Sequence, residues 1–445
     1  TALERGERSQ RRRPIVFQID PLMEFSPFGR FLSSGSGILT LMEDIESAAA
    51  DSAEMRLLGG GNPARIPEVQ AHFRQAMIDL LADGDQFERT TGEYDGARGH
   101  ARLINGLAAL LKSRCGWEVG PENIAITNGS QSSFYLLFHL FAGDFGQGKH
   151  RKILLPLAPE YIGYADIGMG AEFFHAYRPS IAFIGDREFK YHVDFDRLEI
   201  SGDMGAITVS RPTNPTGNVL TDEEVKQLRE LARQHGIPFI LDSAYGGPFP
   251  NIVFPQASNL WDENTIACLS LSKLGLPGLR TGIIIANEQV IRAVTAANAI
   301  VSLAPGSIGP ALVSAMVENG SILELADNII RPYYRDKVQQ AVSWVADALG
   351  DLPCRVHTPE GALFLWLWFE GLPITSETLY QRLKQRGVLV IAGEHFFPGM
   401  RDSWAHRHEC IRISYAQDSK TVQSGIAIIG EEVTRAYHEG ATGRS

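Results

Sequence analysis

The sequence predicts an α/β protein in which a mixed, mostly parallel sheet covered by helices forms a large domain, joined to a smaller α+β domain. Three observations support this fold class. Of the 445 residues, 44% are hydrophobic and 21% charged, so the chain can bury a sizeable core. Between about residues 120 and 290, short β-rich runs alternate with helical stretches. After about residue 330 the pattern changes to a long helix followed by mixed strands and helices.

Six short apolar runs are candidate strands of the large sheet: 124–127, 152–157, 206–210, 237–241, 265–271 and 281–287. Between two of them, Thr221 and Glu224 form a capping-box pattern that predicts the start of a helix, and Gly236 and Pro238 predict its end. The charge-free run 293–317 has the length of a bilayer span. Its prolines and glycines favour a buried helix, a turn and a second helix instead.

The expected organisation has four parts. Residues 1–30 are an N-terminal tail, 31–60 contribute to the small domain, 61–330 form the large cofactor-binding domain, and 331–445 form the C-terminal small domain. The small domain should contain a helix at about 332–349 and the aromatic run of Phe364, Trp366, Trp368 and Phe369. We interpret that run as core rather than as a cofactor platform.

Charge argues against several classes of partner. Lys+Arg 41 and Asp+Glu 52 give a net charge of −11, so no overall basic field is available to attract nucleic acid or anionic lipid. The arginines at 11–13 resemble part of an export signal, but Asp20 and Glu24 interrupt the apolar segment that such a signal needs. We therefore expect a cytoplasmic protein that binds neither nucleic acid nor membrane.

The cysteines and histidines indicate neither disulfides nor a metal site. Four widely spaced cysteines without a CxxC pair are expected to be reduced thiols: Cys115, Cys268, Cys354 and Cys410. His406, His408 and Cys410 have spacing typical of metal ligands, but no further ligand motif accompanies them. We expect no metal.

Reactive residues follow the candidate strands. In open α/β sheets, ligands bind at the carboxyl ends of the strands. Gly129, Ser130 and Gln131 follow the strand at 124–127 and open a helix, a pattern that suits a phosphate but is weak by itself. The later strands are followed by residues that form one set when taken together: Asn214, Asp242, Tyr245, Ser272, Lys273 and Arg280.

Pyridoxal phosphate chemistry needs this set of side chains. A lysine forms a Schiff base, a carboxylate keeps the pyridine nitrogen protonated, and serine and arginine donors hold the phosphate. The segments NPTGNV, LDSAYG and SLSKLGLPGLRTG then resemble the signature segments of the fold-type I, class I/II aminotransferases, from about residue 30 onward. LLGGGNPARIPE, YDGARG and PLAPEYIGYAD are most similar to the branch that acts on valine and pyruvate.

The resemblance implies roles for individual residues. Lys273 is the Schiff-base lysine and proton carrier, Asp242 pairs with the pyridine nitrogen, and Asn214 and Tyr245 bind the ring hydroxyl. Arg412 grips the substrate α-carboxylate. Further residues are implied around the phosphate (Ser130, Gln131, Ser270, Ser272 and Arg280), on the ring face (Tyr161), beside the substrate (Gly60 and Gly61) and, from the neighbouring subunit of a homodimer, at the phosphate (Tyr94).

The resemblance implies transamination between a small apolar amino acid and a 2-oxo acid, with valine and pyruvate giving 2-oxoisovalerate and alanine. Three alternatives stay open. The enzyme can use another amino donor in a biosynthetic pathway, or it can be a lyase or decarboxylase on the same scaffold. A more remote alternative is the aminotransferase-like domain of a transcription regulator. The roughly 30 residues before the resemblance leave no room for a helix-turn-helix domain, which disfavours that alternative.

Overall fold

The computed structural model describes residues 24–33, 39, 42–43, 55–169 and 172–442. The arginines at 11–13 and most of the expected tail lie outside these ranges. The strands are β1 (Arg56–Leu57), β2 (Ile124–Thr127), β3 (Gly143–Asp144), β4 (His150–Leu155), β5 (Phe174–Ala176), β6 (Ser180–Ile184), β7 (Glu188–His192), β8 (Met204–Ser210), β9 (Phe239–Asp242), β10 (Thr265–Ser270), β11 (Gly282–Ile285), β12 (Cys354–His357), β13 (Phe364–Phe369), β14 (Val388–Leu389), β15 (Ile391–Ala392) and β16 (Cys410–Ser414).

The α-helices among the described residues are α1 (Pro27–Leu32), α2 (Pro67–Ala82), α3 (Gln86–Gly92), α4 (Ala101–Leu110), α5 (Ser130–Phe141), α6 (Ile162–Ala165), α7 (Asp222–Gln234), α8 (Glu288–Ser302), α9 (Ile308–Glu318), α10 (Ser321–Leu325), α11 (Arg331–Leu349), α12 (Ser376–Gln385) and α13 (Ser419–Thr442). The run 293–317 forms most of α8 and α9, so the two helices are as predicted. The end of α8 is not buried as expected, because Ile300 and Val301 are exposed. No helix in the described ranges has both the length and the apolar character needed to cross a bilayer.

The main sheet has the strand order β2-β11-β10-β9-β8-β4-β3, with β5 beside β4. β9 pairs in parallel with β10 and β8, and β8 with β4, whereas β11 runs antiparallel to both of its neighbours. This confirms the mixed, mostly parallel sheet. All six candidate strands are present, although β4 begins two residues earlier than expected and ends at Leu155.

Both faces of the main sheet are covered, because successive residues of its strands point to opposite sides. Ile124 and Ile126 of β2 pack into the cluster that includes α2, α4 and α9, whereas Ala125 packs into the cluster beneath α5. The helix after β8 begins where the capping box predicts. Thr221 Oγ1 accepts a hydrogen bond from Glu224 N at 3.1 Å, and Glu224 Oε2 accepts one from Thr221 N at 2.8 Å.

A second sheet has the order β15-β16-β13-β12-β7-β6, and its central strand β13 carries the aromatic run. Phe364, Trp366 and Phe369 are buried, which confirms that these residues are core. The hairpin of β6 and β7 joins this sheet by parallel pairing of β7 with β12, although it comes from within residues 61–330. β1 pairs with β14 in parallel, so the segment before residue 60 also joins the C-terminal part of the chain.

Candidate active site

A cavity of about 260 Å³ lies at the carboxyl ends of β8, β9 and β10, beside the first turn of α5. Its position is where open α/β sheets bind ligands. Eleven of the residues singled out from the sequence line it: Gly61, Ser130, Gln131, Tyr161, Asn214, Asp242, Tyr245, Ser272, Lys273, Arg280 and Arg412.

Lys273 follows the buried strand β10 and points into this cavity. Its Nζ donates a 2.7 Å hydrogen bond to the backbone oxygen of Gly61 and lies 5.3 Å from the centroid of the Tyr245 ring. Burial lowers the pKa of Lys273 to about 8, and the positive charges of Arg412 and Arg280 add to the effect. The amine can therefore lose its proton close to neutral pH, as a nucleophilic lysine must.

Asp242 is the last residue of β9, and its carboxylate is buried. Oδ1 accepts a 2.9 Å hydrogen bond from Ala244 N, and Oδ2 accepts one of 2.7 Å from the hydroxyl of Tyr164. Burial nevertheless raises the pKa of Asp242 to about 6. No arginine, lysine or histidine of the described residues forms an ion pair with it, so this carboxylate suits a cationic or protonated ligand nitrogen.

The end of the cavity near α5 suits an anion. Gly129 caps this helix with φ of +90°, a conformation that favours glycine, and a Cβ added there would have to displace the guanidinium of Arg280. Arg280 Nη1 lies 3.5 Å from Ser272 Oγ. The first turn of a helix, an arginine and a serine hydroxyl together provide donors for a phosphate.

Arg412, on β16, brings the second sheet to the cavity. Arg412 is 2% exposed, and its guanidinium carbon lies 4.0 Å from the centroid of the Phe364 ring. Nη1 donates to Asn214 Oδ1 and Nη2 to the backbone oxygen of Gly59, each at 2.6 Å, whereas Nε is buried without a partner. Burial lowers the pKa of Arg412 to about 10, which still leaves a cation at neutral pH. Since no side-chain carboxylate pairs with it in the described chain, Arg412 can bind a ligand carboxylate.

Aromatic rings form two walls of the cavity. Tyr161 precedes α6 and meets Tyr164 edge-on, with ring centroids 5.4 Å apart. Tyr245 meets Phe364 edge-on at 5.8 Å. These contacts fix the rings, so a flat ligand can be held against them.

Four singled-out residues do not line the cavity. Tyr94 is 85% exposed, and Gly60 lies outside the lining to which the next residue, Gly61, contributes. Ser270 Oγ accepts a 3.1 Å hydrogen bond from Ser272 N and so shapes the turn before Lys273. The fourth is Gly129, whose lack of a side chain leaves room for the guanidinium of Arg280.

The histidines with metal-like spacing do not converge. His408 Nδ1 lies 2.6 Å from Glu394 Oε2, whereas His406 is buried with its Nε2 3.6 Å from Cys410 Sγ. Within the described residues, no group of three or more metal-ligating side chains was found.

Sequence reasoning missed four residues that support the site: Glu160, Tyr164, Ser210 and Phe364. Tyr164 follows Tyr161 by three residues, a spacing that places both on one side of a helical turn. Glu160 follows Pro159 within an apolar stretch, where an isolated carboxylate needs a partner. Nothing distinguishes Phe364 from ordinary core residues in the sequence.

A sheet of this topology places in one cavity a lysine with a pKa of about 8 and an arginine that has no carboxylate partner among the described residues. Together with the family match, this defines an enzyme that transfers amino groups. The chain belongs to the family of class I and II aminotransferases, whose family model matches residues 61–429.

Three similar proteins support this assignment. The valine–pyruvate aminotransferase of Escherichia coli strain K12 is 49% identical over 417 residues, which cover 94% of this chain and 100% of that protein. The crystal structure of the valine-pyruvate aminotransferase AvtA from Salmonella typhimurium LT2 matches with a TM-score of 0.84 and 48% identity, covering 91% of this chain and 100% of that one. A putative amino-acid aminotransferase from Psychrobacter arcticum 273-4 matches with a TM-score of 0.91 and 45% identity, covering 94% and 99%.

Proposed function

We propose that this aminotransferase uses pyridoxal 5′-phosphate to exchange the amino group between L-valine and pyruvate, giving 2-oxoisovalerate and L-alanine. One observation carries the substrate class. Three cationic side chains line the cavity: Lys273, Arg280 and Arg412. If Lys273 holds the cofactor, Arg280 its phosphate and Arg412 the α-carboxylate, no cation of the described lining is left for a side-chain carboxylate. A small apolar amino acid then fits best, as in the relatives named for valine and pyruvate.

The donor set suits pyridoxal phosphate at each of its polar positions. Arg280, Ser272 and the start of α5 match the phosphate, and Asp242 matches the pyridine nitrogen. Asn214 and Tyr245, which line the same cavity, are proposed to bind the ring hydroxyl. When bound, the cofactor supplies an electron sink for cleavage of the bond between Cα and hydrogen.

The residues of this chain then have separate tasks. Lys273 Nζ would hold the cofactor covalently and, as a free amine, would move the proton at the substrate Cα. Asp242 would keep the pyridine nitrogen protonated, and Tyr161 would lie against the ring. Arg412 fixes the substrate by its α-carboxylate, which also retains that carboxylate and so favours transamination over decarboxylation.

We further propose a homodimer that shares its active sites. Tyr94 is 85% exposed and would reach the phosphate in the neighbouring subunit. Exposed apolar side chains at the end of α8 support an interface there: Ile300, Val301 and Leu303. Sedimentation of Val301→Lys should show more monomer than wild type, and an unchanged dimer would reject this surface as the interface.

We propose that the boundary between the two domains lies near residue 331. Two separate sheets support it, with the segment before residue 60 and the hairpin of β6 and β7 assigned to the C-terminal sheet. A continuous helical stretch from Ser321 through α11 would connect the domains.

The four cysteines, all unpaired, support the cytoplasmic location proposed from the sequence.

A panel of half-reactions tests the proposed function. Purified enzyme loaded with cofactor is mixed with alanine, valine, aspartate or glutamate, and the loss of cofactor absorbance is followed. We expect alanine and valine to exceed both acidic donors by at least about tenfold in kcat/KM, since burying an unpaired side-chain carboxylate costs more than the roughly 1.4 kcal/mol that this ratio requires. Glutamate equal to valine would reject the substrate class, and carbon dioxide release without 2-oxo acid would indicate a decarboxylase.

A further inference from the structure

A second carboxyl group, that of Glu160, lies behind the cavity and has no task in the proposed reaction. Its side chain is fully buried between β4 and α6. Oε1 accepts a 2.8 Å hydrogen bond from Ser210 N, and Oε2 accepts one of 3.1 Å from Tyr161 N and lies 2.6 Å from Ser210 Oγ. No cation pairs with Glu160 in the described ranges, so an ionised form would be a costly buried charge.

Two hydroxyl groups connect Glu160 to Asp242. Ser210 Oγ lies 3.4 Å from the hydroxyl oxygen of Tyr164, and that hydroxyl donates to Asp242 Oδ2 at 2.7 Å. Each hydroxyl has one proton to donate. Since the proton of Tyr164 is used on Asp242, the tyrosine oxygen can accept only if the proton of Ser210 points to it. Ser210 is free to do this when Glu160 supplies a proton of its own.

We propose that Glu160 is a positioning residue that carries a proton in the resting enzyme and orients the hydroxyls of Ser210 and Tyr164 toward Asp242. In this arrangement Glu160 donates to Ser210 Oγ, Ser210 donates to Tyr164, and Tyr164 donates to Asp242. Hydroxyls aligned in one direction polarise one another, which stabilises the ionised form of Asp242. This inference rests on the proposed function in one respect, namely that Asp242 faces the pyridine nitrogen of the cofactor.

The charges around Glu160 agree with this arrangement. Burial raises the pKa of Glu160 to about 8, the negative charge of Asp242 adds to the rise, and the hydrogen bonds from Ser210 and Tyr161 oppose it. The pKa of Asp242 is raised only to about 6, so near pH 7 the proton resides on Glu160 and Asp242 is mostly ionised. The titratable groups that face Glu160 are Asp242, Tyr161 and Tyr164, and burial raises the pKa of both tyrosines, so both stay protonated.

Infrared spectroscopy of the cofactor-loaded enzyme tests this proposal without turnover. A protonated carboxyl group has a C=O stretch that is separate from carboxylate bands and shifts in D₂O. We expect wild type to show such a band at pH 7, Glu160→Gln to lack it, and its intensity to fall as the pH rises through about 8. Glu432→Gln is the matched control. Glu432 is also fully buried, but unlike Glu160 it forms an ion pair with Arg435 at 2.7 Å, so its removal should leave the band unchanged.

Ser210→Ala provides a second variant that keeps Glu160. Loss of the Ser210 hydroxyl removes the acceptor of the Glu160 proton. The C=O band of Glu160 should therefore remain and move to higher frequency. A wild-type enzyme without the band, or a band that survives in Glu160→Gln, would overturn the proposal. Failure of the proposed function can be told apart from failure of this inference. An enzyme that does not bind pyridoxal phosphate has no visible cofactor absorbance, whatever its infrared spectrum shows.

Discussion

Arg412 Nη1 donates a 2.6 Å hydrogen bond to Asn214 Oδ1, which ties the C-terminal sheet to the loop that follows β8 of the main sheet. The same guanidinium has its Nε buried without a partner. Two separate sheets therefore meet at the group proposed to bind the substrate carboxylate.

Arg412→Lys should raise the KM for alanine by at least about thirtyfold, because a lysine lacks the planar fork for a two-pronged contact, and about 2 kcal/mol of lost binding gives this ratio. Steady-state kinetics at saturating pyruvate measures it. Arg65→Lys is the control, since Arg65 is outside the cavity lining. A KM within threefold of wild type for Arg412→Lys would contradict the proposed contact.

The rate at which Lys273 condenses with the cofactor should rise with pH. Only the neutral amine reacts, and a pKa of about 8 leaves about a tenth of it neutral at pH 7 and about half at pH 8. The rate at which apoenzyme takes up pyridoxal phosphate should therefore rise with pH and level off above about pH 8. Nα-acetyl-lysine amide, measured in parallel, corrects for titration of the cofactor. A rate that keeps rising to pH 10, as for an ordinary lysine, would show that burial does not lower this pKa.

Asp242→Asn should lower the rate of proton removal far more than cofactor affinity. The carboxylate stabilises the protonated pyridine ring, and this matters most when negative charge develops during cleavage at Cα. We expect single-turnover rates with alanine to fall by at least about a hundredfold, with the Kd for cofactor changed by less than about tenfold. Rapid-mixing absorbance and dialysis measure the two quantities. Equal losses in both would mean that Asp242 only holds the cofactor in place.

Gly129→Ala should weaken cofactor binding by at least about tenfold. The new Cβ would overlap the guanidinium of Arg280, and alanine at φ of +90° costs on the order of 1–3 kcal/mol. Gly278→Ala is the matched control, because Gly278 lies in the neighbouring loop without a positive φ, and a Cβ added there would meet no atom within 4 Å. Fluorescence titration of apoenzyme with pyridoxal phosphate compares them, and equal affinities would reject the proposed role of the Gly129 turn.

The main sheet was predictable because its strands are short apolar runs that end at polar residues. β8, β9 and β10 are buried on both faces, so they are continuous apolar runs in the sequence, and their ends place Asp242 and Lys273 in one cavity. The antiparallel direction of β11 was not predictable, since periodicity shows that a strand exists but not which way it runs.

Supporting residues were harder to find from the sequence. Tyr164 acts through Asp242, and Glu160 acts through Ser210, so each depends on a contact between distant segments. Phe364 has the sequence pattern of an ordinary core residue, yet its ring lies against the guanidinium of Arg412. The hairpin of β6 and β7 also joins a sheet whose other strands lie more than 160 residues further along the chain, which local patterns cannot show.

Borohydride reduction of the cofactor-loaded enzyme, followed by peptide mapping, is the decisive test of the lysine assignment on which the proposed chemistry depends. The reduction makes the bond between lysine and pyridoxal phosphate permanent, so the labelled peptide identifies the lysine. We predict that the label is found on Lys273, and that Lys273→Ala retains cofactor noncovalently through the phosphate donors but has no measurable turnover. Label on any other lysine, or turnover in Lys273→Ala, would show that the assignment is wrong.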